Sequence, residues 1–170
     1  MARGKDKFLS QEMKKTNVAR IFDQHKIDYE LFEYEVDEQD LGAENVARKI
    51  GHAIEMVFKT LVLTGDKTGV IVAVIPGARE VDLKALAALS GNKKCTMVHL
   101  KEIQSITGYI RGGVSPVGMK KLFPTFVDEI MANYPKIFVS AGIRGLQCQI
   151  SPDDLIKITN AKTGNISTIS

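Results

Sequence analysis

The chain has 170 residues, with 23 Lys+Arg against 20 Asp+Glu, a formal net charge of +3 and 44% hydrophobic residues. That length can bury one core without staples, and the ordinary apolar and charged fractions exclude disordered and fibrous classes. No apolar run approaches the roughly 18 residues a membrane-spanning helix needs, and a charge this small neither requires nor forbids a nucleic-acid partner, because phosphate affinity follows where the cations cluster.

The first residues, MARGKDKFLSQEMKK, are charged throughout and do not read as a secretory signal. Residues 1–15 are expected to form a flexible or helical extension of a single domain covering 1–170. Helical spacing over residues 10–25 places Val18, Ile21 and Phe22 on one face. Residues 29–36 (YELFEYEV) alternate as a strand, and residues 44–50 (ENVARKI) predict a short helix stopped by Gly51. Two apolar runs, 56–63 (MVFKTLVL) and 70–75 (VIVAVI), flank the turn 65–69 and predict a hairpin buried on both faces. Residues 82–89 predict a helix with Leu83, Leu86 and Ala87 inward, followed by a short strand at 96–98 and a short helix at 100–105.

Residues 107–118 (TGYIRGGVSPVG) hold four of the 14 glycines, a density that predicts a shaped loop. Strands are expected at 127–130, 137–140 and 146–150, with a turn at 141–145 (AGIRG). Ser151 and Pro152 supply the N-cap and first position of a last helix. This order lacks a regular βαβ rhythm. It predicts an α+β fold, a mixed sheet partly closed toward a barrel with flanking helices.

Little in the chain suits metal or triad chemistry. His25, His52 and His99 are far apart, neither cysteine lies near one of them, and no nucleophile elbow, Walker loop or dinucleotide fingerprint occurs. Cys95 and Cys148, without close partners, predict buried thiols in a reducing cytoplasm rather than a disulfide framework. Basic clusters at Arg3/Lys5/Lys7, Lys14/Lys15, Lys93/Lys94 and Lys120/Lys121 are ordinary solvated surface or phosphate contacts. Lys59 is different. It interrupts an apolar strand, where a bare ammonium is costly unless it meets a partner or a bound anion. Snorkelling from the strand and binding of a phosphate or ester oxygen stand level as readings. Gly112-Gly113 permits close main-chain approach, to a ligand or to another segment of chain. Ser140, Ala141 and Gly142 floor a small pocket or make a tight turn, and Arg144 in the same VSAGIRG turn caps the surface or contacts phosphate.

The order KTLV, DLK, TGYxxGGVSPxG, SAGxRGL and SPxDL, running from about residue 16 to about residue 166, resembles the YbaK/EbsC family of aminoacyl-tRNA deacylases. Within it, the chain is most similar to the Cys-tRNA(Pro) deacylases, which act in trans after prolyl-tRNA synthetase has mischarged cysteine. The resemblance implies that Lys59 is the essential lysine holding the terminal adenosine end of the tRNA. It further implies substrate contacts from Thr60, from Tyr34 at the end of the first strand, from the main chain of Gly112, and from Ser140 near the aminoacyl group. Leu41 and Ala141 depart from aromatic and glycine residues found in some relatives. The implied partners are mischarged tRNA and, as a candidate, prolyl-tRNA synthetase; no metal or cofactor is implied. The implied mechanism needs no protein nucleophile, because the substrate's own thiol attacks its ester carbonyl and leaves as a thiolactone. Editing of an alanyl or seryl group, or a tRNA- or synthetase-binding module without turnover, are the alternatives.

Overall fold

The computed structural model describes residues 15–169. Of the first predicted helix, the part before Lys15 lies outside them, as do the clusters Arg3/Lys5/Lys7 and Lys14. Helix α1 (Asn17–Gln24) starts at Thr16, whose hydroxyl accepts from the Ala19 N–H at 3.2 Å, and it buries Val18, Ala19 and Phe22. Strand β1 (Tyr29–Glu33) follows and is shorter than the alternation suggests. One residue past Glu33 the Tyr34 N–H still bonds the Gly145 carbonyl, at 2.9 Å, in the register that pairs Glu33 with Leu146. Helix α2 (Ala43–Ile50) ends where expected, with Gly51 in the left-handed region at φ 75°.

The hairpin is formed by β2 (Phe58–Gly65) and β3 (Gly69–Pro76), with Lys59 opposite Ile75 and Thr60 opposite Val74. Strand β3 is buried from Ile71 onward, as its unbroken apolar run predicts. Strand β2 departs from that expectation, since Lys59, Thr60 and Leu61 are only half buried. Then come β4 (Arg79–Val81), helix α3 (Leu83–Ser90) capped by Asp82, β5 (Cys95–Met97), helix α4 (Ile103–Thr107) and β6 (Thr125–Asp128). Leu83, expected inward on α3, is exposed; Leu86 and Ala87 carry the buried face.

The strand expected at 127–130 is displaced. It ends at Asp128, whose carboxylate accepts from Ile130 N–H at 2.9 Å and starts a 3-10 turn through Asn133. Its other oxygen accepts from Ile166 N–H at 3.2 Å and Ser167 Oγ at 2.6 Å, which satisfies a buried charge and ties β6 to the C-terminal strands. Strands β7 (Ile137–Ser140) and β8 (Leu146–Ile150) and helix α5 (Pro152–Thr159) fall where the sequence places them, with Ser151 Oγ accepting from Asp154 N–H at 3.2 Å. The three-residue strands β4, β9 (Lys162–Gly164) and β10 (Ser167–Ile169) are absent from the sequence reading. Their partners, rather than any local pattern, make them strands.

The fold is α+β, as expected, but its strands do not close into a barrel. They fall into a five-stranded mixed sheet (β5-β2-β3-β6-β9), a three-stranded antiparallel sheet (β1-β8-β7) and the pair β10-β4. One parallel bridge, Val57 to Phe138, brings β7 alongside the start of β2. Beyond it the two strands diverge, because β2 next pairs with β5 only from Leu63 to Gly65. The stretch of β2 between these contacts is left with an open edge.

Candidate functional site

A cavity of about 370 Å³ opens along that edge. Residues 57–62 form one wall, the entry to α2 at Leu41–Ala43 a second, and Met97 at the end of β5 with Val98 and Leu100 after it a third. Arg111 and Gly112 come from the glycine-rich loop, and Ser140 and Gln147 from β7 and β8. The structure therefore brings Lys59 and Thr60, Gly112, and Ser140 from three separate segments to one place. It does not bring Tyr34, which lies past the end of β1 and is not among the lining residues. Its main chain instead holds the turn at Gly145.

Lys59 is half buried, and among the described residues its ammonium has no hydrogen bond or ion pair. Burial lowers its pKa below the ordinary 10.5, opposed by the charge of Glu80. A cation part-stripped of water and without a fixed partner favours an anionic or ester-oxygen ligand. Thr60 contributes its backbone. Gly77 N–H bonds Val57 O at 2.8 Å on the β3 side, whereas Val98 N–H bonds Val62 O at 3.1 Å on the opposite side. Strand alternation then turns the main-chain N–H and C=O of Thr60 to the open edge, toward the cavity.

Gly112 has φ 86°, and a Cβ there would meet Arg144 Nε and Leu41 Cδ1, both at 3.2 Å. At Gly113 the closeness is to chain rather than ligand, since a Cβ would stand 3.1 Å from the Arg144 nitrogen. Arg144, open between two readings from sequence, joins the loops: its Nε donates to the Arg111 carbonyl at 2.7 Å. The glycine loop and the small-residue turn are thus one built unit. Ser140 is buried, and its Oγ accepts from Gly142 N–H at 3.1 Å, leaving its own proton free to donate.

Gln147 was not visible from sequence. It sits in the middle strand β8, opposite Phe32 on one side and Ser140 on the other. Only this pairing shows that the glutamine within LQCQI reaches the cavity. Of the lining residues only Lys59 and Arg111 are ionisable; no carboxylate, imidazole or thiol is among them. Both cysteines are buried elsewhere, and burial pushes the Cys148 thiol up to about 12, which keeps it protonated. His52 packs against the Phe32 and Phe138 rings, at centroid separations of 5.2 and 4.6 Å.

Residues 38–158 match the sequence profile of the aminoacyl-tRNA editing domain. The chain belongs to the aminoacyl-tRNA editing domain family. This is the family its ordered motifs resemble, and it makes the protein an aminoacyl-tRNA editing enzyme. The chain is 50% identical over 154 residues to "Putative Cys-tRNA(Pro)/Cys-tRNA(Cys) deacylase EbsC" of Enterococcus faecalis, covering 91% of this chain and 94% of that protein. It is 27% identical over 124 residues to a proline–tRNA ligase of Thermosipho melanesiensis, a match covering 69% of this chain and 22% of the ligase. Among solved structures, "hypothetical protein APE2540" superposes with a TM-score of 0.81 at 24% identity, over 89% of this chain and 99% of that one. "A putative trans-editing enzyme for prolyl tRNA synthetase" superposes with a TM-score of 0.76 at 23% identity, over 90% and 98%. These two establish the editing-domain fold. No helix among the described residues is long and apolar enough to cross a membrane.

Proposed function

We propose that this editing enzyme clears cysteine from mischarged Cys-tRNA(Pro) by letting the substrate's thiol do the attack. The observation that carries this reading is the composition of the cavity wall: a cation, main-chain donors and small residues, with no carboxylate, imidazole or thiol to act as general base. Lys59 holds the terminal adenosine end of the tRNA through its oxygens, and the cleft beside it orients the aminoacyl ester. The cysteinyl sulfur forms a bond to its own carbonyl carbon, and the bond from that carbon to the ribose oxygen breaks. The thiol proton ends on the ribose hydroxyl, so the products are free tRNA and a thiolactone. Thr60 N–H on the open edge and the Ser140 hydroxyl are the donors within reach of the developing oxyanion. Holding thiol and carbonyl together supplies much of the barrier reduction, since well-oriented intramolecular attack gains on the order of 7 kcal/mol or more.

Support for cysteine as the substrate comes from the 50% identity to a protein named for Cys-tRNA(Pro) and Cys-tRNA(Cys). The match to a proline–tRNA ligase favours delivery of the substrate from prolyl-tRNA synthetase in the cytoplasm. The test is ester loss from Cys-tRNA(Pro), Ser-tRNA(Pro) and Ala-tRNA(Pro) with purified protein. Cysteine should be removed far faster than the near-isosteric serine, because a hydroxyl is a much weaker nucleophile than a part-ionised thiol. Comparable rates for cysteine and serine would replace thiol attack by water attack, which discriminates poorly between such side chains.

A further inference from the structure

Gln147 is only 6% exposed, and its Oε1 has no hydrogen-bond partner, the one such buried side-chain atom among the described residues. Native interiors rarely leave an acceptor in this state, and where they do the group belongs to a missing partner or a function. The backbone of Gln147 is paired on both sides, to β1 at Phe32 and to β7 at Ser140, and the residue forms part of the cavity wall.

An orphaned acceptor calls for a ligand with donors. The ligand proposed above has two groups near its carbonyl that could meet it, the thiol and the α-amino group. A thiol is a weak donor and gains little from an amide oxygen. An α-amino group carries two or three N–H donors, and in the protonated form its hydrogen bond is charge-assisted. Lys59 and Arg111 repel an ammonium, and no carboxylate lines the cavity. The acceptors left are the Thr60 carbonyl on the β2 edge, the second lone pair of Ser140 Oγ, and Gln147 Oε1; among the described residues only Gln147 Oε1 is a buried side-chain atom with no partner.

We infer that Gln147 Oε1 receives the α-amino group of the aminoacyl ester and thereby fixes how the thiol is presented to the carbonyl. This rests on the deacylase reading above and adds to it a substrate-binding residue that reads a group shared by every aminoacyl-tRNA. Discrimination among side chains then falls to the rest of the pocket.

The experiment compares wild type with Gln147→Met, similar in length but without the acceptor, on two substrates. One is Cys-tRNA(Pro); the other is 3-mercaptopropionyl-tRNA(Pro), which keeps the thiol and ester and lacks only the amine. Wild type should prefer the amine-bearing substrate by roughly tenfold or more in kcat/KM, the scale of a hydrogen bond to a charged group. Gln147→Met should lose most of that preference by slowing Cys-tRNA(Pro) alone, while its ligand-free thermal midpoint is unchanged or higher, because an unpaired acceptor has been removed. Equal slowing of both substrates, or slowing of neither, overturns the inference. Wild type inactive on Cys-tRNA(Pro) overturns the deacylase reading and this inference with it; an active wild type with an unaffected variant overturns this inference only. Should Gln147→Met fail to fold, Gln147→Glu serves: an acceptor of the same shape must retain the preference for the amine, and loss of that preference overturns the inference.

Discussion

Strands β2 and β3 are two arms of one hairpin, equal in length, yet they do different work. In β3 the run from Ile71 to Ile75 is 0–1% exposed, with neighbours on both edges. In β2 the matching stretch opposite Val74 and Ile75 is half buried, carries Lys59 and Thr60, and has one unpaired edge. The comparison separates stability from function within eight residues. One arm lowers the free energy of the fold, while the other leaves a desolvated cation and main-chain donors unsatisfied, ready for a ligand. Groups of the second kind are tolerated because the first kind surrounds them.

Lys59→Ala is the sharpest way to break the contrast. It should cut kcat/KM on Cys-tRNA(Pro) by about 10²–10³-fold, the scale for losing one electrostatic contact to the reacting ester. Its thermal midpoint should not fall, since a part-buried charge has been removed; near-normal turnover would detach Lys59 from the site. Ile71→Ala should do the reverse. The cavity it leaves in β3 should cost about 2–5 kcal/mol in denaturant unfolding. The folded fraction should keep its kcat, because Ile71 pairs with Leu63 at the hairpin's other end.

Gly112→Ala sits between the two. A side chain at φ 86°, crowded by Leu41 and Arg144, should displace the loop. A loss of activity near tenfold with about 1–2 kcal/mol of destabilisation is expected, read from steady-state kinetics and a melt on the same sample.

The smallest effect is a pH slope. Desolvation lowers the Lys59 pKa in the native state, so between that value and the ordinary 10.5 the unfolded chain binds more protons than the native one. Stability contributed by this group therefore rises with pH through that window and is flat below it. Unfolding free energies measured across the alkaline range should show the rise in wild type and not in Lys59→Met.

The hairpin, the helices and β7–β8 were legible because apolar periodicity, Gly51, and the Ser151-Pro152 start act locally. The glycine loop and Lys59 stood out because each breaks a local rule. What stayed hidden depends on pairing between distant segments. Strands β4, β9 and β10 have no periodicity in three residues. The open edge of β2 exists only because β7 and β5 contact it at its two ends. Gln147 is one polar residue in a short strand until β1 and β7 are laid beside it. Tyr34, singled out by the family resemblance, lies one residue past β1, where its N–H bonds Gly145 in continuation of the β1–β8 register, and it is not among the residues lining the cavity.

The central claim is that the open edge of β2 only positions a substrate that supplies its own nucleophile. The identity of the first released product tests it most directly, by rapid quench and mass spectrometry on Cys-tRNA(Pro) at early times. A product lighter than cysteine by one water, appearing with the free tRNA and decaying to cysteine afterwards, is what thiol attack predicts. Free cysteine as the first species, with no lighter precursor at the shortest times, would contradict it and require attack by activated water instead.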